Sequence, residues 1–277
     1  MPNVRFTGPA RESSWRRVAT GMWGPQSDPT IYGMMDVDAR ALLARQAALE
    51  AAGVRVTVTH VVAKAASEVL RRLPDLNVVL RRHRTWQRAG IDVFLQVLVR
   101  DESDPGLATA ELSGIKIEDA DRYDLVEFAR RVDAEVARTR KSKDQALDRT
   151  RKQLAGVPGF ALRPLLKLAR YLMTELNLDL SRLGVSRDPF GSIAITSVGM
   201  LGIETAFAPL VPMGGPPLMI TVGAIKQRAV VDEHGQVVAR PMLRIAGTFD
   251  HRVVDGFHLA RMANELRSLL ERDVANL

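Results

Sequence analysis

Two long runs, "LMITVGAIKQRAVV" and "VVARPMLRIAGTFD", stand near the end of the chain with Glu233–Gln236, "EHGQ", between them. Both are rich in β-branched residues, and the segment between them is of the turn-forming kind. The pair is therefore predicted to be two strands joined by a hairpin turn. Thr30–Asp38, Ile91–Arg100 and Gly191–Gly199 also read as strands, and "GLATAELS" as a weaker one. Helices are predicted around Ser13–Trp23 and in "DARALLARQAALEAAG", with Asp38 as N-cap and Gly53 as stop. Another is "TVTHVVAKAASEVLRRLP", with Thr59 near its cap, and a further one is "DLVEFARRVDAEVARTRK". The last, "GFHLARMANELRSLLERD", places Leu259, Met262, Leu266 and Leu269 on one face. Strands and helices mix without regular βαβ alternation, which argues for an α+β fold with a large mixed or antiparallel sheet.

With 277 residues, 46% hydrophobic and 26% charged, the chain has the composition of a globular protein with a sizeable core. It has no cysteine, which excludes disulfides, thiolate metal sites and a cysteine nucleophile. That fits a cytoplasmic protein, as does the lack of an apolar signal core in "MPNVRFTGPARESSWRR". The net charge of +7 is uneven: "RTRKSKDQALDRTRK", Arg138–Lys152, holds seven basic residues against two acidic ones. A solvated helix face and an anionic partner are both open readings. No helix-turn-helix, zinc finger or aromatic-basic ribonucleoprotein motif is present, so nucleic acid is not an expected partner.

Gly159–Gly184 carries apolar residues at Leu162, Leu165, Ala169, Leu172 and Leu176, with Arg163, Lys167 and Arg170 on another face. This is the pattern of a basic amphipathic helix. Docking on the protein's own core is the plain expectation; a partner helix or a membrane surface is the lesser alternative.

One short stretch carries chemistry. In "DHRVVDG", Asp250–Gly256, His251 stands just past a strand and Gly256 opens a helix. A polar turn containing a histidine is one reading. The other is a base held by rigid elements on both sides, since a neutral imidazole suits proton transfer near neutral pH. Gly256 suggests a close backbone approach or an unusual φ.

"FDHRVVDG" between a strand and a terminal helix resembles the active-site signature of the 2-oxoacid dehydrogenase acyltransferases, the E2 components. "GSIAITSVGMLGI", with Gly191, Gly199 and Gly202 in register, is similar to a second family segment. "PPLMITVGAI" and "TVTHVVAKAASEVLRRLPDLN" resemble a third and a fourth, in the same order along the chain. The resemblance implies the chloramphenicol acetyltransferase-like two-layer α+β fold, with a large mixed sheet and helices packed on one face. It implies acyl transfer between coenzyme A, as substrate, and the thiol of dihydrolipoamide. His251 falls at the base position, and Thr196 at the place of the hydroxyl that steadies the oxyanion; Ser197 should point to the opposite face. For Thr196 a β-branched residue packed in a strand is the alternative reading. Asp255 falls where the family's aspartate pairs with an arginine, for which Arg16 or Arg17 is the candidate, with Gly256 as further support. The resemblance also implies a homotrimer whose base and hydroxyl come from neighbouring subunits, and cages built from such trimers. No metal is implied.

The chain departs from the pattern in three places. "GLATAEL" loses the family's proline, Thr196-Ser197 replaces its Ser-Asn, and an insert at about 141–190 is longer than its connector. The sequence reads as a single catalytic domain over 1–277 with that helical insert and without lipoyl or subunit-binding domains. A lipoyl group would then arrive on another protein. A non-catalytic trimeric scaffold, or acyl transfer to a hydroxyl or amine, are the alternatives in function.

Overall fold

The computed structural model describes residues 28–81, 84–99, 111–141, 158–181, 187–210 and 216–277. Strand β1 (Thr30–Asp38) leads into helix α1 (Arg40–Ala51), then α2 (Val58–Arg72). A small hairpin, β2 (Val78–Arg81) and β3 (Arg84–Gln87), follows. Next come β4 (Val93–Val99), β5 (Glu111–Ile117), α3 (Leu125–Lys141) and α4 (Gly159–Arg170), the last continued by a π-helical turn, Tyr171–Glu175. The chain closes with β6 (Ile193–Ser197), β7 (Leu218–Val231), β8 (Val237–Asp250) and α5 (Gly256–Glu271).

The main sheet has six strands in the order β1-β8-β7-β6-β4-β5, with β2–β3 as a separate ribbon. β6 runs parallel to β4 and β7, and the remaining neighbours are antiparallel. The two long runs are indeed a hairpin, closed by Asp232–Gln236 with Gly235 at φ 75°. Strand alternation divides the side chains between two faces. Ile193, Ile195, Ile220, Ile245 and Phe249 point toward the helices and join Leu42, Leu70, Phe128 and Leu266 in one core. Phe94, Ala194 and Met219 point the other way, under Phe190, Ala208 and Leu210. The expected α+β architecture, helices on one face of a mixed sheet, is the one found.

Several boundaries differ from the sequence reading for local reasons. α2 is capped by Thr57, not Thr59: the Thr57 hydroxyl accepts the His60 N–H at 3.2 Å, and the His60 ring faces the Thr57 N–H. Asp38 accepts the Arg40 N–H at 3.0 Å, but Ala39 is the N-cap position of α1. The weak strand is described over Glu111–Ile117; the "GLATA" of the run that suggested it lies outside the described residues. In the insert, the helix gives way to a π turn after Arg170, and no described side chain from Phe160 to Glu175 is buried. The expected docking of that helix on the core is therefore not what the structure shows.

Candidate active site

β8 delivers the motif. Its last residues are held on both sides, with Asp250 N–H donating to the Pro217 carbonyl and His251 N–H to the Pro29 carbonyl. The chain then turns sharply, and Val253 and Val254 N–H groups both return to the Asp250 carbonyl. This fold-back brings His251 Nδ1 to 2.8 Å from the Val254 carbonyl oxygen. A carbonyl only accepts, so Nδ1 carries the proton and donates. Nε2 of the neutral ring is then the basic nitrogen, and the side chain is exposed.

Asp250 was not among the residues the sequence singled out, yet it anchors the turn. Its carboxylate accepts from the Arg252 backbone N–H at 3.0 Å, from Nε at 2.9 Å and from Nη2 at 2.6 Å. Burial pushes the Asp250 carboxyl up, but donation from Arg252 and the charges of Arg252 and Arg170 hold it below its ordinary value on balance. The alternation of acid and base in "DHR" was the available signal. Arg170, far away in sequence, carried none.

Asp255 is the N-cap of α5 and accepts the His258 N–H at 2.9 Å, with His258 Nδ1 at 2.7 Å from the same oxygen. The backbone N–H and then the ring of His258 hold its carboxyl below the usual range. His258 also reaches to 3.6 Å from Asp75. Arg16 and Arg17, the expected partners of Asp255, lie outside the described residues, as does the predicted first helix. At Gly256 a Cβ would meet nothing within 4 Å, and φ is not positive. Neither close approach nor an unusual φ within the chain explains that glycine.

Thr196 sits on β6, 8% exposed, on the same face as Ala194 and away from the helices. Ser197 falls on the other face, as the alternation predicts. Two glycines shape the bend that follows. Gly202 adopts φ 78°, a conformation that strains other residues, and a Cβ at Gly199 would collide with the β7 backbone at Gly223. β7 bulges there, two residues standing against one between Val222 and Ile225.

Register decides whether base and hydroxyl can meet. Thr196 pairs with Thr221, and Thr221 with Ala246. His251 lies five residues further along β8, which runs antiparallel to β6 and so ends at the opposite end of the sheet. At about 3.4 Å per residue and ~4.8 Å per strand, the two sites of one chain are on the order of 20 Å apart. Two concavities among the described residues include neither. One of about 510 Å³ is lined by Asp38, Arg40, Arg240 and Arg272. The other, of about 250 Å³, lies between α5 and the sheet beside Gly33 and Gly247. The face bearing Thr196 also exposes Tyr32 (58%) and Met34 (61%), with Phe207 edge-on to Tyr32 at 5.4 Å. Among the described residues no cluster of side chains suits a metal, and no helix is long and apolar enough to cross a membrane.

The chain is similar to known proteins. Over 86 residues the chain is 36% identical to the lipoamide acyltransferase component of the branched-chain alpha-keto acid dehydrogenase complex of Pseudomonas putida, a match covering 29% of this chain and 18% of that protein. The dihydrolipoyllysine-residue succinyltransferase component of the 2-oxoglutarate dehydrogenase complex of Haemophilus influenzae matches at 35% over 83 residues, 29% of this chain and 19% of that one. The chain thus aligns with less than a fifth of the length of either relative. Among solved structures, a probable dihydrolipoamide acetyltransferase from Listeria monocytogenes superposes with a TM-score of 0.64 at 16% identity, covering 95% of this chain and 94% of the other. The dihydrolipoamide acetyltransferase of Azotobacter vinelandii gives 0.60 at 19%, covering 99% and 98%. These likenesses show a shared fold. Residues 13–153 and 188–277 match the family described as 2-oxoacid dehydrogenases acyltransferase (catalytic domain), and the chain belongs to that family.

Proposed function

We propose that this chain transfers an acyl group between the thiol of coenzyme A and a dihydrolipoamide-type thiol. His251 is the general base. Its Nε2 takes the proton of the attacking thiol, whose pKa is about 8.5 if it resembles a cysteine. The sulfur bonds to the thioester carbonyl carbon, and the carbonyl π electrons move onto oxygen. The Thr196 hydroxyl of a neighbouring copy donates to that oxyanion. Collapse restores the carbonyl and expels the second sulfur, which takes the proton back from the imidazolium. Base assistance is typically worth about 10²–10⁴-fold, and one oxyanion donor on the order of 10²–10³. Asp255 fixes the start of α5 and thereby the far side of the turn that carries His251; it positions and does not itself react.

The observation that carries this reading is the His251–Val254 hydrogen bond, which commits the ring to the tautomer with Nε2 free. The separation along the sheet supports a site shared between copies. So does the exposed Tyr32, Met34 and Phe207 surface, which we assign to subunit contact in a homotrimer. One relative in fold, at 20% identity, is the cubic core of a pyruvate dehydrogenase complex, so assembly of trimers into a cage is part of the proposal.

The test is thioester exchange from acetyl-CoA or a branched acyl-CoA to free dihydrolipoamide. Loss of exchange in His251→Ala, with the oligomer intact, supports the reading. No exchange by the unaltered protein refutes it in favour of a scaffold, and turnover with alcohols or amines alone refutes the thiol acceptor.

A further inference from the structure

Helix α4 lies within residues 154–187, which the family match leaves out. Phe160, Pro164, Leu168 and Tyr171 recur at i, i+4, i+8 and i+11, so they form one stripe. The stripe is bare: Phe160 is 87% exposed, Leu168 54% and Tyr171 53%, with Leu165 beside them at 42%. Lys167 is exposed along the same stripe and Arg170 is exposed at the end of the helix. From Gly159 to Thr174 the sequence holds three cations and no acid. The segment that follows the helix is tied to β2. Arg81 of β2 donates to the Glu175 carbonyl at 3.0 Å, and Arg170 is near enough to Asp250 for its charge to act on that carboxylate, one residue before His251.

We propose that α4 is the docking surface for an acidic carrier domain that delivers the acyl group, its apolar stripe taking the carrier's apolar contact and its cations the carrier's carboxylates. This rests on the acyl-transfer reading and names the partner chemistry of the same site. The charge pattern selects an acidic occupant, because the exposed Lys167 and Arg170 attract one and repel a second copy of the same surface. The placement selects a carrier over a lipid surface. A helix that only lay on anionic lipid would have no reason to set the charge of its last arginine to act on Asp250, whereas a carrier must present its thioester near His251.

The experiment compares two acyl donors on the oligomeric protein: free acyl-dihydrolipoamide, and the same group on an isolated lipoyl domain of net negative charge. The variants are Phe160→Ser with Leu168→Ser, and Lys167→Glu alone; all three side chains are exposed, so folding is not at stake. Both variants should lower kcat/KM for the domain-borne group about tenfold or more while the free donor reacts as before. The domain-borne rate of the unaltered protein should fall with salt, and more steeply than that of Lys167→Glu. Equal changes with both donors, or no change with the domain, overturns the proposal. Tighter binding to phosphatidylglycerol vesicles than to the domain overturns it in favour of lipid, and a smaller oligomer in the double serine variant overturns it in favour of a second copy. If neither donor reacts with the unaltered protein, the acyl-transfer reading has failed, and docking is then read from the anisotropy of the labelled lipoyl domain. Binding weakened by the variants upholds the surface, and no binding sinks it.

Discussion

If base and hydroxyl are about 20 Å apart in one chain, two crippled chains should repair each other. His251→Ala keeps the hydroxyl and Thr196→Val keeps the base. Alone, the first should lose about 10²–10⁴-fold and the second on the order of 10²–10³-fold. In the proposed trimer each site takes its histidine from one chain and its threonine from the next. Unfolding the two variants together at equal concentration and refolding them gives random mixtures. A site is complete when its base donor is the Thr196→Val chain and its hydroxyl donor is the His251→Ala chain, with probability one half each. About a quarter of all sites should then work, one to three orders of magnitude above either variant alone. The assay is thioester exchange before and after mixing, with mixed trimers counted by native mass spectrometry. If mixed trimers form and the rate stays at the sum of the two variants, the site lies within one chain and the register argument is wrong.

Thr57→Ala removes the hydroxyl that caps α2 and should cost about 1 kcal/mol in urea unfolding; Thr59→Ala should cost little. Phe128→Ala empties a fully buried site and should cost about 3–5 kcal/mol, read the same way. Gly202→Ala forces a Cβ onto φ 78° and should destabilise by roughly 1 kcal/mol, whereas Gly256→Ala meets open space and should leave thermal stability unchanged. Asp250 should shape the acid limb of stability. Its folded pKa lies below the unfolded 3.8, so its contribution is present above about pH 4 and is lost as pH falls through the lower folded value. Asp250→Asn should flatten that limb. Burial likewise lowers His60 below 6.5, so stability it supports above that pH should decline as pH drops beneath it, and urea midpoints at pH 7.5 and 5.5 should differ less in His60→Gln.

Much of this molecule could be read from its residues in order. The spans of β1, β7 and β8 coincide with the runs that predicted them, because alternation and β-branching are properties of consecutive residues. α5 was legible from its apolar face, and the placement of His251 between a strand and a helix from the runs on either side. Local hydrogen bonding escaped the sequence by a residue or two. Thr57 and Thr59 are chemically alike, and only the backbone path shows which hydroxyl meets a free N–H. Asp255 reads as a partner for an arginine whose candidates lie outside the described residues, and its carboxylate also closes the N-terminus of α5 and meets His258.

What the sequence determined is local: which segments extend, which coil, and where an imidazole stands beside a turn. Tertiary structure alone decided three things. β8 runs antiparallel to β6, which sends His251 and Thr196 to opposite ends of one sheet. The fold-back at Val254 fixes the imidazole tautomer. α4 leaves its apolar stripe in solvent while the charge of its last arginine acts on Asp250. Each depends on the direction in which distant segments pair, and pairing free energy is set by contacts between residues that the linear order leaves far apart.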